Sequence, residues 1–148
     1  MSDTQSVWRS DHVIPSRPEA SRDVQEELLE QMTRLEWGEH DVFSVRLAME
    51  EALINAIKHG NHYDPAKTVE VVCQILPDRV RIEISDQGKG FDLAAVPDPT
   101  DPDNLESPCG RGLMLMRSFM SRVEFNETGN RVLMERERTP PDEQTPSE

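Results

Sequence analysis

Apolar residues recur at helical spacing in three stretches of the chain. The first predicts an amphipathic helix that has Pro18 in its first turn and ends before Gly38. Its apolar positions are Val24, Leu28, Met32 and Leu35. The second predicts a helix with Asp41 as its N-cap and a left-handed stop at residues 60–61. The third predicts a helix over residues 112–120.

Alternation of apolar and polar residues indicates strands in the rest of the chain. Residues 7–14 are predicted as an edge strand, and residues 68–76 as a strand rich in β-branched side chains. After a turn, residues 80–84 alternate between aliphatic and charged side chains. Residues 123–125 and 131–135 flank a hairpin turn. The simplest architecture is α+β: a two-layer α/β sandwich with helices on one face of a mixed, mainly antiparallel sheet.

The composition fits one domain over residues 1–136. The chain has 148 residues, of which 35% are hydrophobic, and this supports a single core. Residues 137–148 combine acidic residues and prolines with no apolar residue, so we expect a disordered tail. Residues 92–109 form a long loop dense in proline and aspartate, of a length that is usually functional or disordered.

Charge, hydropathy and cysteine content exclude several classes of function. The net charge of −13 argues against a nucleic-acid-binding surface. The chain has neither a long apolar run typical of a membrane span nor the N-terminal pattern of a signal peptide. Two cysteines, Cys73 and Cys109, are too few for a disulfide framework and lack metal-ligand spacing. We therefore expect a cytoplasmic protein with no direct nucleic-acid or membrane partner.

The second predicted helix carries a narrow polar stripe formed by Glu51, Asn55 and Lys58. The opposite face is apolar and comprises Val42, Val45, Met49, Leu53 and Ala56. Because Leu47 and Ile54 border the stripe, it suits a helix that faces a ligand cavity. An amide oxygen at Asn55 suits Mg²⁺, and Glu51 can orient or deprotonate a hydroxyl that attacks a phosphate. The alternative is that these are ordinary solvated side chains.

Two histidines near the end of this helix, His59 and His62, have a spacing that permits metal binding. No third ligand lies near them in the sequence. We interpret them as structural or exposed residues and not as a metal site.

A first glycine segment follows the strand that ends at Asp86. The carboxylate is expected at the edge of a pocket, where it can accept a hydrogen bond from an exocyclic amine such as that of adenine. Gly88 and Gly90 then allow the backbone to turn tightly and approach a ligand. The alternative is an ordinary aspartate-containing turn after a strand.

A second glycine segment, Gly110 to Gly112, precedes the third predicted helix. Its amides and the helix N-terminus provide an anion site without net positive charge. Arg111 can add a charged contact to a phosphate. The other candidate cations are Lys58 and Lys89. Residues 92–109 are then expected to form a lid over a nucleotide. The alternative is a flexible loop that ends with glycines.

Together, and in this order, the three segments resemble the motifs of the GHKL superfamily of ATP-binding domains. That superfamily includes gyrase-type topoisomerases, MutL, sensor histidine kinases and anti-sigma-factor kinases. Residues 51–61 look like its N box, residues 86–91 like its first glycine box and residues 110–116 like its second. The chain is most similar to the stand-alone anti-sigma serine kinases, and the similarity covers roughly residues 7–136.

The resemblance implies a Bergerat-type ATP-binding fold and assigns roles to matching residues. Glu51 is implied as the general base, Asn55 as the Mg²⁺ ligand and Asp86 as the adenine contact. Arg111 is implied to lie near the phosphates. The other residues assigned to the nucleotide site are Lys58, His59, Gly88, Gly90, Gly110, Gly112 and Leu113.

The same resemblance implies a reaction and partners. Such kinases transfer phosphate from ATP to a serine of a small anti-anti-sigma (STAS-type) protein and sequester a sigma factor, and many are homodimers. The chain departs from many relatives at Ser121, where they carry aspartate. Two alternatives are a non-catalytic, nucleotide-gated interaction module and the ATP-binding half of a histidine kinase. The second is disfavoured because the chain shows no long helix pair that bears a phospho-accepting histidine.

Overall fold

The computed structural model describes residues 6–88 and 108–140, with residues 108–111 described by their backbone only. The elements within these residues are, in chain order, β1 (Trp8–Pro15), α1 (Pro18–Arg34), α2 (Glu39–Ile54), β2 (Thr68–Ile75), β3 (Arg79–Ser85), α3 (Pro108–Phe119), β4 (Arg122–Phe125) and β5 (Arg131–Glu137). α2 continues directly into a π-helical segment, Asn55–Gly60. No helix in the described ranges is long and apolar enough to cross a lipid bilayer.

The strands form one five-stranded sheet in the order β1-β2-β3-β5-β4. The α+β class and the predicted strands are confirmed, including β1 at an edge. The expectation of a mixed sheet is corrected, since every pair among the described strands is antiparallel. Short hairpins join β2 to β3 and β4 to β5, and such connections pair strands antiparallel.

The hydrophobic core lies between one face of the sheet and the helices. Across β2 and β3, Val71 pairs with Ile84 and Cys73 pairs with Ile82, and all four side chains are buried. The helices and β5 meet this face with fully buried side chains, among them Leu28, Met32, Met49, Leu53, Met116 and Met134. The alternation of buried and more exposed residues along β3 matches a sheet that is covered on one face.

α2 is the middle helix of the layer and packs against both α1 and α3. Its predicted core residues Val45, Met49 and Leu53 are fully buried. Ala48 and Ala52 are buried as well. The polar stripe therefore lies on a helix that is enclosed on most sides.

The N-terminus of α2 differs from the prediction, because Gly38 and not Asp41 is its N-cap. Asp41 is fully buried, and its Oδ1 accepts hydrogen bonds from Nε and Nη2 of Arg136 at 3.0 and 2.7 Å. The carboxylate also accepts bonds from the backbone and hydroxyl of Thr139. Arg136 in turn donates to the carbonyl of Phe119 at 2.8 Å. This cluster fixes the start of α2, the end of α3 and the end of β5 relative to one another.

The end of the second helix also differs from the prediction. Gly60 and Asn61 are not left-handed: Asn61 has φ of −89°, and the left-handed residues are His62 and Tyr63, with φ of 53° and 57°. The cause is the π-helical segment, in which the Asn61 N–H donates to the carbonyl of Ala56, five residues earlier. The wider turn moves the chain reversal beyond Asn61.

α3 begins at Pro108, so Gly110 and Gly112 lie within the helix and do not precede it. Of the predicted lid, residues 92–107 lie outside the described part of the chain, and residues 108–109 belong to α3. Proline is well suited to a first helical turn, which accounts for the earlier start.

The predicted tail boundary is corrected as well. β5 reaches Glu137, and Arg138 stacks over the Trp37 ring at 4.9 Å while it donates to the carbonyls of Leu35 and Glu36. These contacts attach residues 137–139 to the domain. Residues 141–148 lie outside the described residues.

Candidate nucleotide site

A cavity lies between the end of α2, β3, α3 and the β4–β5 hairpin. Its apolar lining comprises Ala52, Ala56, Ile84, Met116, Phe125 and Val132. Its polar and glycine lining comprises Asn55, His59, Gly60, Asp86, Gly129, Asn130 and Arg131. A cleft with mostly apolar walls and a few placed polar groups is suited to a flat heterocyclic ligand.

Asp86 presents its carboxylate at the polar end of this cavity. The Gly88 N–H donates to its Oδ1 at 2.8 Å, and Gly60 lies directly against it: a Cβ at Gly60 would be 2.4 Å from the Asp86 Cγ. Burial raises the pKa of Asp86, and the Gly88 hydrogen bond and the charge of Lys67 oppose burial only in part. A desolvated carboxylate of this kind is stabilised by a hydrogen bond from a ligand amine.

Gly88 is required by packing against the helix end. A Cβ at this position would lie 2.1 Å from the carbonyl oxygen of Gly60, a separation that no side chain can occupy. Its φ is not positive, so tight turning is not what demands glycine here. Gly60 and Gly88 therefore let the helix end and the post-strand turn meet around the Asp86 carboxylate.

α3 brings the second glycine segment to the polar stripe of α2. A Cβ at Gly112 would lie 3.2 Å from Oε1 of Glu51 and 3.2 Å from Nδ2 of Asn55. Glu51 and Asn55 are half-buried and lie one helical turn apart. Gly112 of the second glycine segment thus lies against Asn55, and Asn55 lines the same cavity as Asp86 of the first segment.

The amide oxygen of Asn55 fits a magnesium ion that is held together with phosphates. Carboxylate and amide oxygens are hard ligands, and Mg²⁺ usually takes only one or two from protein. Among the described side chains, which belong to residues 6–88 and 112–140, no three His, Cys, Asp or Glu residues group into a metal site. A cation beside Asn55 would therefore complete its coordination with phosphate oxygens and water.

The π-helical segment directs the end of the helix into the cavity. In an α-helix, residues five apart are separated by about 140° around the axis. In a π-helix the hydrogen bonds join residues five apart, so Asn55 and Gly60 lie on successive turns of one face. Both line the cavity, as does His59. Amphipathic periodicity does not predict this local change of geometry.

Three further predicted residues occupy different positions relative to the cavity. His59 lines it, and burial, followed by the charges of Lys58 and His62, lowers the pKa of His59. Lys58 is exposed and does not line the cavity. Leu113 is buried in the hydrophobic core, 4% exposed, and Met116 one turn later lines the cavity in its place.

The remaining predicted residues are described in part or not at all. Gly110 and Arg111 have helical backbone in the first turn of α3. Gly90 and Lys89 lie outside the described residues.

The β4–β5 hairpin contributes residues that the sequence did not single out. The Asp86 N–H donates to the carbonyl of Asn130 at 2.9 Å, and Arg131 donates to the hydroxyl of Ser85 at 3.1 Å. Gly129, with φ of 84°, permits the turn that carries them. The turn itself was predictable, but its place at the cavity depends on the pairing of β3 with β5.

The sequence predicts Asn61 to be part of a helix stop. It is fully buried, and its Oδ1 accepts a hydrogen bond from the Gln87 N–H at 2.8 Å. The side chain thus joins the helix end to the turn that follows Asp86. A polar residue next to glycine signals a turn, and only the fold shows this one to be buried.

The sequence of this chain is similar to a known domain family and to several bacterial proteins. The histidine kinase-like ATPase domain matches residues 14–136. Serine-protein kinase RsbW of Halalkalibacterium halodurans is 30% identical over 106 residues, which cover 68% of this chain and 64% of that protein. RsbW of Oceanobacillus iheyensis is 25% identical over 127 residues, with coverage of 82% and 80%. Anti-sigma F factor of the same organism is 31% identical over 109 residues, with coverage of 70% and 74%.

A solved structure shares the fold. The crystal structure of the RsbU and RsbW domains of a Mycobacterium tuberculosis protein superimposes with a TM-score of 0.59 at 16% identity, and the match covers 90% of this chain and 34% of that one. At this identity the similarity supports the architecture alone. Among the curated relatives, the chain spans 64% of the length of the first RsbW.

Proposed function

This chain belongs to the histidine kinase-like ATPase domain family, and we propose that it is an ATP- and Mg²⁺-dependent protein serine kinase that acts as an anti-sigma factor. The observation that carries the proposal is the meeting of Glu51, Asn55 and Gly112 beside a cavity that ends at Asp86. The names of two relatives, serine-protein kinase RsbW and anti-sigma F factor, support the reaction class.

Adenine occupies the apolar cavity in this proposal. Its ring packs between aliphatic and aromatic side chains, including Ile84, Met116 and Val132. Its exocyclic amine donates to Asp86, whose carboxylate is half-buried and accepts a hydrogen bond from the Gly88 N–H. Guanine presents a carbonyl oxygen at the corresponding position, so a carboxylate there favours adenine.

The phosphates then lie toward α3. The first N–H groups of a helix lack intrahelical partners, and the first turn of α3 at residues 108–111 is adjacent to Gly112. Backbone amides can bind the phosphates there despite the net charge of −13. Asn55 is the protein ligand for Mg²⁺, which neutralises phosphate charge when it is bound.

Glu51 acts on the nucleophile. Its carboxylate accepts the proton of the partner serine hydroxyl while that oxygen bonds to the γ-phosphorus and the bond to the bridging oxygen of ADP breaks. The half-burial of Glu51 beside Gly112 limits its movement and keeps it one turn from Asn55. Chemistry of this kind is mostly positioning, and the contact with α3 provides it.

The proposed substrate is a serine on a small anti-anti-sigma protein of the STAS type, and the proposed second partner is a sigma factor or an analogous regulator. We also propose that the protein acts in the cytoplasm, where ATP is available. The support for the partners is the anti-sigma name of a relative that matches 70% of this chain.

The proposal is tested by incubating the protein with γ-labelled ATP, Mg²⁺ and a STAS-type partner. Label is expected on a partner serine, and Glu51→Gln should slow transfer by about 10²–10⁴-fold. Glu50→Gln is the matched control, because Glu50 is the preceding residue and is exposed. Equal rates for wild type and Glu51→Gln would exclude Glu51 as the base. Tight ATP binding with no transfer would favour a nucleotide-gated interaction module.

A further inference from the structure

Asn61 is the polar residue on which several elements near Asp86 converge. It is 0% exposed and makes side-chain hydrogen bonds in three directions. Its Nδ2 donates to the Ser16 hydroxyl at 2.9 Å and to the Thr68 carbonyl at 2.9 Å. Its Oδ1 accepts from the Gln87 N–H at 2.8 Å. The side chain connects the end of the helix with the ends of β1, β2 and β3.

The hydrogen-bond partners of Asn61 make further hydrogen bonds with their neighbours. The Ser16 hydroxyl, which is 1% exposed, donates in turn to the carbonyl of Lys67 at 2.7 Å. The side chain of Gln87 accepts from the Thr68 N–H at 2.7 Å. Buried polar groups that are fully hydrogen-bonded fix a unique local arrangement.

The same hydrogen bonds also hold Asp86, the residue proposed to contact adenine. Gln87, held by Asn61, lies between Asp86 and Gly88, and the Gly88 N–H donates to Asp86 Oδ1 at 2.8 Å. Gly60, the residue before Asn61, also lies against the carboxylate. Movement of Asn61 would thus shift both groups that hold Asp86.

We infer that Asn61 is a positioning residue for base recognition: it holds the Asp86 carboxylate at the end of the cavity and so makes the site selective for a purine that carries its exocyclic amine where adenine does. This inference rests on the proposed function, because it concerns the ATP site. Asn61 itself does not line the cavity.

The test compares ATP with purine riboside 5′-triphosphate, which lacks the amine. Calorimetry measures both affinities for wild type, Asn61→Ser and Asn61→Ala. The wild type should prefer ATP by about 10- to 100-fold, the worth of a hydrogen bond to a charged group. The Asn61 variants should lose most of that preference and keep the affinity for purine riboside triphosphate, since the phosphate end at Glu51 and Gly112 is unchanged.

Thr139→Ala is the matched control. It removes a hydrogen bond to buried Asp41 at the opposite end of α2, so it lowers stability without touching the Asp86 turn. Its ATP preference should equal that of the wild type. An unchanged preference in folded Asn61 variants, or an equal loss in Thr139→Ala, overturns the positioning role.

A second measurement does not require the variants to fold. Hydrogen exchange of the Gln87 amide in the ligand-free wild type should be slowed about 100-fold or more, because Asn61 engages it. Exchange at the rate of an unstructured amide overturns the inference. A wild type that binds neither nucleotide overturns the ATP site as a whole, whereas a wild type that binds ATP with selectivity independent of Asn61 overturns only this role.

Discussion

Gly112 on α3 lies directly against Glu51 on α2: a Cβ at Gly112 would be 3.2 Å from the Glu51 Oε1. The contact explains why a glycine occurs within the helix, where it costs stability relative to alanine. The absence of a side chain lets the first turns of α3 approach the carboxylate and the neighbouring Asn55. The position of α3 therefore sets the geometry of the proposed catalytic pair.

Gly112→Ala tests this contact. The methyl group would press on the ends of Glu51 and Asn55, so we expect phosphotransfer to fall at least about tenfold. The melting temperature should change little, because alanine gains about 0.8–1.0 kcal/mol in helix propensity while the crowding opposes it. Ser118→Ala, at an exposed position of the same helix, is the control. A rate of phosphotransfer in Gly112→Ala equal to that of the wild type would contradict this expectation. It would show that Glu51 and Asn55 can move away from the methyl group without loss of activity.

Gly60→Ala tests the closure of the helix end on Asp86. The added Cβ would lie 2.4 Å from the carboxylate carbon, so Asp86 must leave its position. We expect ATP affinity to fall about tenfold or more and stability to fall by about 1–3 kcal/mol. Calorimetry and urea unfolding measure the two effects. Gly38→Ala, at the N-cap of α2 with φ of −63°, should leave ATP affinity unchanged; a loss there would show that the effect is not local.

Asp86→Asn separates a binding role from a structural one. Burial, opposed by the Gly88 hydrogen bond and by Lys67, raises the pKa of Asp86 in the folded protein. An acid with a raised pKa contributes stability below its unfolded pKa and loses it as the pH rises through the folded value. At neutral pH the asparagine variant should thus be at least as stable as the wild type, since its Oδ1 still accepts from Gly88. Thermal unfolding from pH 4 to 8 checks this, and a clear loss of stability at pH 7 would contradict it.

Asp41→Asn tests the buried cluster at the start of α2. Burial alone would raise the pKa of Asp41, but hydrogen bonds from Thr139 and Arg136 and the charge of Arg136 outweigh burial and lower it. Removing one partner of a buried ion pair costs about 3–5 kcal/mol of unfolding free energy. Because the pKa is depressed, this stability is present above the unfolded pKa and is lost as the pH falls through the folded value.

Urea unfolding at pH 7 and pH 3 measures that dependence. The difference between wild type and Asp41→Asn should be large at pH 7 and smaller at pH 3. Asp78→Asn is the control, because Asp78 is 74% exposed in its ion pair with Arg79 and should change stability by less than about 0.5 kcal/mol. A pH-independent difference would rule out ionised Asp41 as the stabilising form.

Much of the fold followed from periodicity. The alternation at residues 80–84 and the helical repeat of Val24, Leu28 and Met32 each correspond to an element with the predicted buried face. The polar stripe at Glu51 and Asn55 was also recognisable, because apolar neighbours border it. These patterns can be recognised in the sequence because one face of each element is buried. Burial requires an apolar residue at every second position of a strand and at every third or fourth position of a helix.

The remaining features depend on contacts between distant segments. Asp41 has the residue type of an N-cap, and only its pairing with Arg136, 95 positions later, makes it a buried anchor. The sequence predicts that Gly88 is needed for a tight turn. In the structure, the carbonyl of Gly60 excludes a side chain at this position. The π-helical segment and the hydrogen bonds of Asn61 likewise depend on the contact between the end of this helix and the turn at Asp86. Residue type alone carries no signal for these contacts.

ATP binding in the cavity that ends at Asp86 underlies every functional proposal made above. The decisive measurement is calorimetric titration of ATP into wild type and Asp86→Asn, each with and without Mg²⁺. We predict one bound ATP per chain in the wild type, weaker binding when Mg²⁺ is withheld, and an affinity reduced at least tenfold in a folded Asp86→Asn protein. Absence of heat and of thermal stabilisation in the wild type, or equal ATP affinity in the variant, would contradict the account.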